Sequence, residues 1–256
     1  MNLTMHVARK DWRHTRLVLC IWYPVLVLAL TLDQKIEMFL DERESLRGIP
    51  SPSAAELEYG VLALIGVLAV SLDLLLRAAI VSRLVHDDST VGSTAFWLSR
   101  PVPAGTLLAS KAMLLLPAMV LPQIVVHLAV TYQLAGIPST APEVFLAPVV
   151  STAIFMMLAV LTPSLAGMAV LGGIMTGVIL GGLLVLSWLG MPLVAADGIV
   201  RALTGELPWL TALAVCVTVI CHQYLTRRTT RSLTVAFSGV LVFLLVLSRE
   251  WFLGGA

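Results

Sequence analysis

The strongest constraint on this chain is a series of apolar runs, each close to the thickness of a bilayer core. Six of them, 16–32, 58–82, 106–134, 143–162, 165–188 and 208–225, reach or approach the length of a membrane span. A helix needs about 20 residues to cross roughly 30 Å of hydrocarbon. A seventh run, 232–248 (SLTVAFSGVLVFLLVLS), is shorter but carries no charge. In lipid a backbone must satisfy its own amides and carbonyls, and a helix does so within one segment. The expected fold is therefore all-α and polytopic, with six to seven transmembrane helices in one membrane domain covering 1–256. Only 12% of the residues are charged, about half the share of a soluble domain.

Lysine and arginine set the expected orientation. With the N-terminus in the cytoplasm, the inner segments hold ten of them: Arg9, Lys10, Arg13, Arg16, Arg83, Arg100, Lys111, Arg227, Arg228 and Arg231. The outer segments hold five: Lys35, Arg43, Arg47, Arg201 and Arg249. The N-terminal stretch 1–16 includes an acid and two histidines and has no small-residue cleavage site, so the first span is expected to be retained. Residues 3–16 read in one of two ways. They form an amphipathic interfacial helix, with Leu3, Val7 and Trp12 toward membrane lipid and the basic residues toward anionic headgroups, or a basic flank that only sets topology. The outer loop 33–56 is acidic and is expected to contain a short surface helix (DQKIEMFLDERESLR). The formal charge of +1 excludes a nucleic-acid partner on grounds of overall basicity. Cys20, Cys216 and Cys221 lie inside apolar runs without C-x-x-C spacing and read as packing residues.

One polar interruption stands out: HDDSTVGSTAFWLSRPVPAGTLLASK, residues 86–111. Asp87, Asp88, Ser89 and Thr90 are residue types that cap helix N-termini. Gly92, Ser93 and Thr94 keep the following helix slim, AFWL gives it an apolar face with Trp97, and Pro101 and Pro103 stop it. Lys111, in the next span, is placed to reach back to the headgroups. A short helix with an apolar, aromatic face suits a groove on another protein.

These residues resemble the first cytoplasmic loop of ABC-2 type transporter permeases. That loop has an acid, then Gly-Thr, a small apolar stretch, Pro-Val, and a Lys opening the next span. Here the acid is Asp88 in place of the usual Glu, the glycine is Gly92, and Ser93 takes the Thr place with Thr94 after it. Pro101-Val102 matches Pro-Val and Lys111 closes the pattern; Ala104 stands where a basic residue is usual, while Arg100 precedes the Pro-Val element. The likeness covers most of residues 1–225. It implies that Asp87, Asp88, Gly92, Ser93, Thr94, Trp97, Arg100 and Pro101, within a coupling loop 86–105, dock on a separate cytoplasmic ATP-binding subunit. It also implies ATP and Mg on that partner, no cofactor in this chain, and a homodimer or a heterodimer with a second permease. The implied setting is the bacterial cytoplasmic membrane, and the implied task is export of a hydrophobic or amphipathic compound. The chain has no G-x-x-x-x-G-K-[ST] phosphate loop, so ATP hydrolysis is expected from the partner. Such permeases have six spans, so 232–248 is an extra span, or the chain is part of something longer, or that run does not span.

Inside the spans, Asp73 and Arg77 sit at i, i+4, in the acid-first order of a helix ion pair. They read either as a polar patch on a substrate path or as a self-neutralised pair near the inner end of the span, with Arg77 snorkelling. Gln123 and His127 follow Pro117 and Pro122, which bend a helix and free carbonyls. That polar face lines a cavity or hydrogen-bonds a neighbouring span. No metal site is expected, since the histidines form no ligand spacing. Gly173, Gly177 and Gly181 repeat at four-residue intervals, a spacing that lets helices approach closely, within one chain or across a dimer. Residues 189–207 suit short outer re-entrant helices, as the resemblance implies. An ion-coupled secondary transporter built on Asp73 and Arg77 is the alternative function. An intramembrane enzyme needs H-E-x-x-H or clustered acids; neither occurs, so no enzymatic activity is expected.

Overall fold

The apolar runs become helices in a computed structural model that describes residues 3–45, 53–86, 103–135, 142–188 and 206–254. In chain order they are α1 (Leu3–Ser45), α2 (Ser53–His86), α3 (Ala104–Leu115), α4 (Leu121–Ala135), α5 (Pro142–Leu161), α6 (Leu165–Trp188), α7 (Glu206–Thr226) and α8 (Thr229–Gly254). A π-helical turn, Leu116–Val120, joins α3 to α4, so these two form one span. No strand occurs among the described residues. Among the described residues, seven helical stretches are long and apolar enough to cross a membrane, and Thr229–Arg249 is the seventh. The chain is an all-helical, multi-pass membrane protein.

The membrane character is legible helix by helix. On α1 the buried residues Leu19, Trp22, Leu26 and Ala29 recur every three or four positions, the spacing of one helix face. The opposite face is equally apolar, with Leu17, Ile21 and Leu28 exposed. A soluble helix would carry charge there; lipid asks for none. Helix α5 is the hub. Its span is 56% buried against 22–39% for the other six; it packs on α2 and α7, and Met156, Met157, Ala159 and Val160 sit in the main core cluster.

Helix α1 differs from the two-part reading of the sequence. It runs without a break for 43 residues, about 65 Å at 1.5 Å per residue, and so outreaches the hydrocarbon core at both ends. Residues 3–16 are its first turns rather than a separate element lying on the surface. Most of the acidic stretch expected as a surface helix in the 33–56 loop continues the same helix to Ser45, and α2 begins at Ser53.

Helices α7 and α8 form a tight hairpin. Arg227 takes φ 53°, the left-handed conformation that ends many helices, and its amide donates to the Gln223 carbonyl at 2.8 Å. The pairings His222–Ser232 and Val215–Gly239 have the same residue sum, which makes the two helices antiparallel. Gly239 is where they touch. A Cβ built there would stand 2.3 Å from Val215 Cγ1 and 2.9 Å from Cγ2, atoms of a branched side chain that cannot turn aside. Gly239→Ala is expected to destabilise the chain by about 1–3 kcal/mol, the usual range for overpacking. Gly177→Ala should leave the unfolding midpoint of the isolated chain nearly unchanged, because a Cβ there meets nothing within 4 Å. Thermal unfolding of both variants in detergent checks the contrast.

Candidate functional site

Asp73 lies at the middle of its apolar helical stretch, with Arg77 one turn further along. Asp73 is 13 residues from each end of the span Gly60–His86, and Trp22 is 14 from each end of Ala8–Ile36. At that common depth four helices meet through polar groups. Asp73 Oδ2 pairs with Arg77 Nη2 at 2.6 Å, while Asp73 Oδ1 accepts from Trp22 Nε1 of α1 at 2.8 Å. Arg77 Nη1 donates to Gln123 Oε1 of α4 at 2.7 Å and to Ser151 Oγ of α5 at 3.3 Å. Its guanidinium carbon is 5.9 Å from the centre of the Trp22 ring, within cation–π range. Asp73 is 4% and Gln123 3% exposed. Arg77 therefore does not snorkel; it is neutralised in place. Arg77 Nε and the Gln123 amide nitrogen remain buried without a partner.

The prolines position this cluster. Pro122 has no amide to donate, which frees the carbonyl four residues back, that of Ala118. Tyr23 Oη, beside Trp22, donates to that carbonyl at 3.1 Å. The π-helical turn over Leu116–Val120 accommodates the bend. Gln123 thus bonds a neighbouring span, the second of its two sequence readings. His127, one turn further along α4, is half-buried and takes no part in the Arg77 bonds just described.

A second buried ion pair lies nearer the N-terminal end. Lys111 Nζ of α3 is 2.6 Å from Asp11 Oδ2 of α1, with side chains 1% and 2% exposed. This corrects the expectation that Lys111 reaches the headgroups. A buried ammonium calls for a compensating anion, and Asp11 supplies one. His86 closes the end of α2 onto α5. Its Nε2 donates to the carbonyls of Ala159 at 3.1 Å and Thr162 at 2.7 Å, and its Nδ1 is hydrogen-bonded with the Ser82 hydroxyl at 2.9 Å. Ser164 then caps α6, accepting from the Gly167 amide at 3.1 Å.

Of the residues singled out from the sequence, Asp73, Arg77 and Gln123 come together. Asp87, Asp88, Gly92, Ser93, Thr94, Trp97, Arg100 and Pro101 lie outside the described residues, as does nearly all of 189–207. Among the described residues, a Cβ at Gly173, Gly177 or Gly181 would meet nothing within 4 Å, whereas their neighbours Gly172 and Gly182 face Leu158 and Leu244. The stripe therefore points away from the other described helices. Trp22, Asp11, Ser151 and His86 were missed as partners. A tryptophan at mid-span, away from both interfaces where it usually sits, is the signal that points to Trp22. Among the described residues no three His, Cys, Asp or Glu side chains converge on a point. No family model matches the chain, and neither does any curated protein or solved structure.

Proposed function

We propose that this chain is the transmembrane subunit of an ATP-driven transporter of the ABC-2 kind, exporting a hydrophobic or amphipathic compound. The observation that carries the reading is the 86–111 motif, Asp88, Gly92, Ser93, Pro101-Val102 and Lys111. The fold adds support. Seven successive spans alternate in direction, which brings the start of α1, the α2–α3 connection and the α7–α8 turn to one side, and the Asp11–Lys111 pair joins the first two. That side carries Arg9, Arg13, Arg16, Arg83, Arg228 and Arg231 at the surface, the excess expected of a cytoplasmic face. The end of α2 and the start of α3 then face a cytoplasmic ATP-binding subunit, which holds ATP and Mg. Two permease chains, alike or paralogous, form the path. Few charges are available to line it, in keeping with an apolar cargo. The setting that goes with this reading is the bacterial cytoplasmic membrane.

Affinity purification of the chain in mild detergent from its host tests the proposal. A stoichiometric partner carrying a phosphate loop is expected, and its loss on altering residues 87–97 ties it to the motif. A chain recovered alone, under conditions that keep other membrane complexes intact, overturns the reading. Gly92→Trp and Asp88→Lys are expected to abolish ATP-driven transport while leaving membrane insertion unchanged. Full transport in either variant removes that residue from the coupling role.

A second reading, an ion-coupled carrier, is favoured by one observation: an ion pair at mid-span beside two buried N–H groups without acceptors. Intramembrane ionisable residues are commonly functional. Against it, both oxygens of Asp73 are already engaged by donors of this chain, Trp22 Nε1 and Arg77 Nη2. Transport that follows a proton gradient and ignores ATP would favour the carrier.

A further inference from the structure

The α7–α8 hairpin carries a groove that none of the functional readings uses. It has a volume of about 480 Å³ and is lined by Leu210, Ala214 and Thr218 from α7 and by Val235, Ser238 and Val242 from α8. These residues fall within the spans Leu207–Thr226 and Thr229–Arg249, so the groove lies at the depth of hydrocarbon. Its floor is set by Gly239 against Val215, where the two helices close up. Of the three hydroxyls on the wall, those of Thr211 and Thr218 donate to the Leu207 and Ala214 carbonyls at 2.8 and 2.7 Å and ask nothing of a guest, which leaves Ser238 in a wall otherwise made of carbon. The guest at this depth is apolar.

The end of the groove is different in kind. Arg231, Val235, Ser238 and Val242 stand at i, i+4, i+7 and i+11, which puts an exposed arginine at the head of the stripe that lines the groove. Arg227 and Arg228 form the two-residue turn beside it, between the two spans and hence at a membrane surface. Val235 lies seven residues past Arg228 and Val242 fourteen, which is roughly 10 and 20 Å along the helix. Acyl chains hanging from a headgroup at the turn pass through this interval, since one leaflet of the hydrocarbon core is about 15 Å deep.

We infer that the α7–α8 hairpin is a binding site for an anionic phospholipid, whose phosphate is held at Arg231 and the Arg227–Arg228 turn and whose acyl chain occupies the groove. The charge complementarity and the apolar walls are separate observations, and one amphipathic molecule meets both. Guanidinium matches phosphate in geometry as well as charge. A transmembrane helix from a second copy would fill the groove without calling for the arginines at its end.

The inference stands apart from the transport proposal and is tested on the full chain in detergent. The purified protein is mixed with equal amounts of palmitoyl-oleoyl phosphatidylglycerol and phosphatidylcholine, and the retained lipid is counted by native mass spectrometry. One phosphatidylglycerol per chain is expected in preference to phosphatidylcholine. Arg231→Gln should lower that preference about fivefold, the effect of one cation near an anionic surface. Ser238→Trp, which fills the groove, should abolish it. Equal retention of the two lipids by the unaltered chain overturns the inference. An unchanged preference in Ser238→Trp also overturns it, since the surface charge then acts without the groove. So does efficient disulfide cross-linking of Ser238→Cys chains, which would put a second copy there. If Ser238→Trp does not fold, Arg231→Gln decides: this exposed change carries no packing demand, and an unaltered lipid preference sinks the site.

Discussion

Arg77→Leu is expected to destabilise the protein by about 3–5 kcal/mol, the cost of leaving one member of a buried ion pair behind. Asp73 is 4% exposed at the middle of its span, so water cannot replace the lost guanidinium. Trp22 Nε1 still donates to it, but one neutral donor does not cancel a full charge. The double variant Asp73→Leu/Arg77→Leu should recover most of the loss, because no charge then remains to be solvated. Recovery should fall short by about 1–3 kcal/mol, since Trp22 and Gln123 lose their partners. Unfolding in mixed detergent micelles, run as a double-mutant cycle, measures this. A double variant as unstable as the sum of the two singles would show that the two side chains act independently, contrary to their 2.6 Å contact.

Lys111→Met should also be damaging, by up to about 3–5 kcal/mol, because it removes the ammonium 2.6 Å from Asp11, whose side chain is 2% exposed. An exposed headgroup lysine would give a different result, at most about 1 kcal/mol. The pair joins α1 to α3 across 100 residues of sequence. Its loss should therefore also loosen the start of α1, seen as faster proteolytic trimming of the N-terminal turns in detergent. Asp11→Leu/Lys111→Met should restore both readouts. Normal stability in Lys111→Met would remove the buried pair from the fold.

These two pairs mark where reading from sequence stops. Asp73 and Arg77 are neighbours on one helix, and their spacing alone announces the bond. Trp22 and Asp73 are 51 residues apart, and no local pattern joins them. Lys111 was legible as a basic residue at the start of a span and was misread, because a long side chain near a helix end normally snorkels. Only the packing of α1 against α3 brings Asp11 to it. Pro122 lies between these cases: its freed carbonyl is a chemical certainty, but that Tyr23 answers it depends on where α1 lies.

The sequence by itself determined that this is an all-helical membrane protein, and it placed most spans within a few residues. The run 165–188 is α6 to the residue. Apolar length is a local property, and a bilayer reads it without reference to the rest of the chain. Tertiary structure alone decided that α1 is one continuous helix, that four helices meet at Arg77, and that the Gly173, Gly177 and Gly181 stripe looks outward. In lipid the hydrophobic effect does not choose which face of a helix turns inward, since every face is apolar. The choice falls to a few polar side chains and to close fits such as Gly239 on Val215, whose partners are fixed only once the helices are packed.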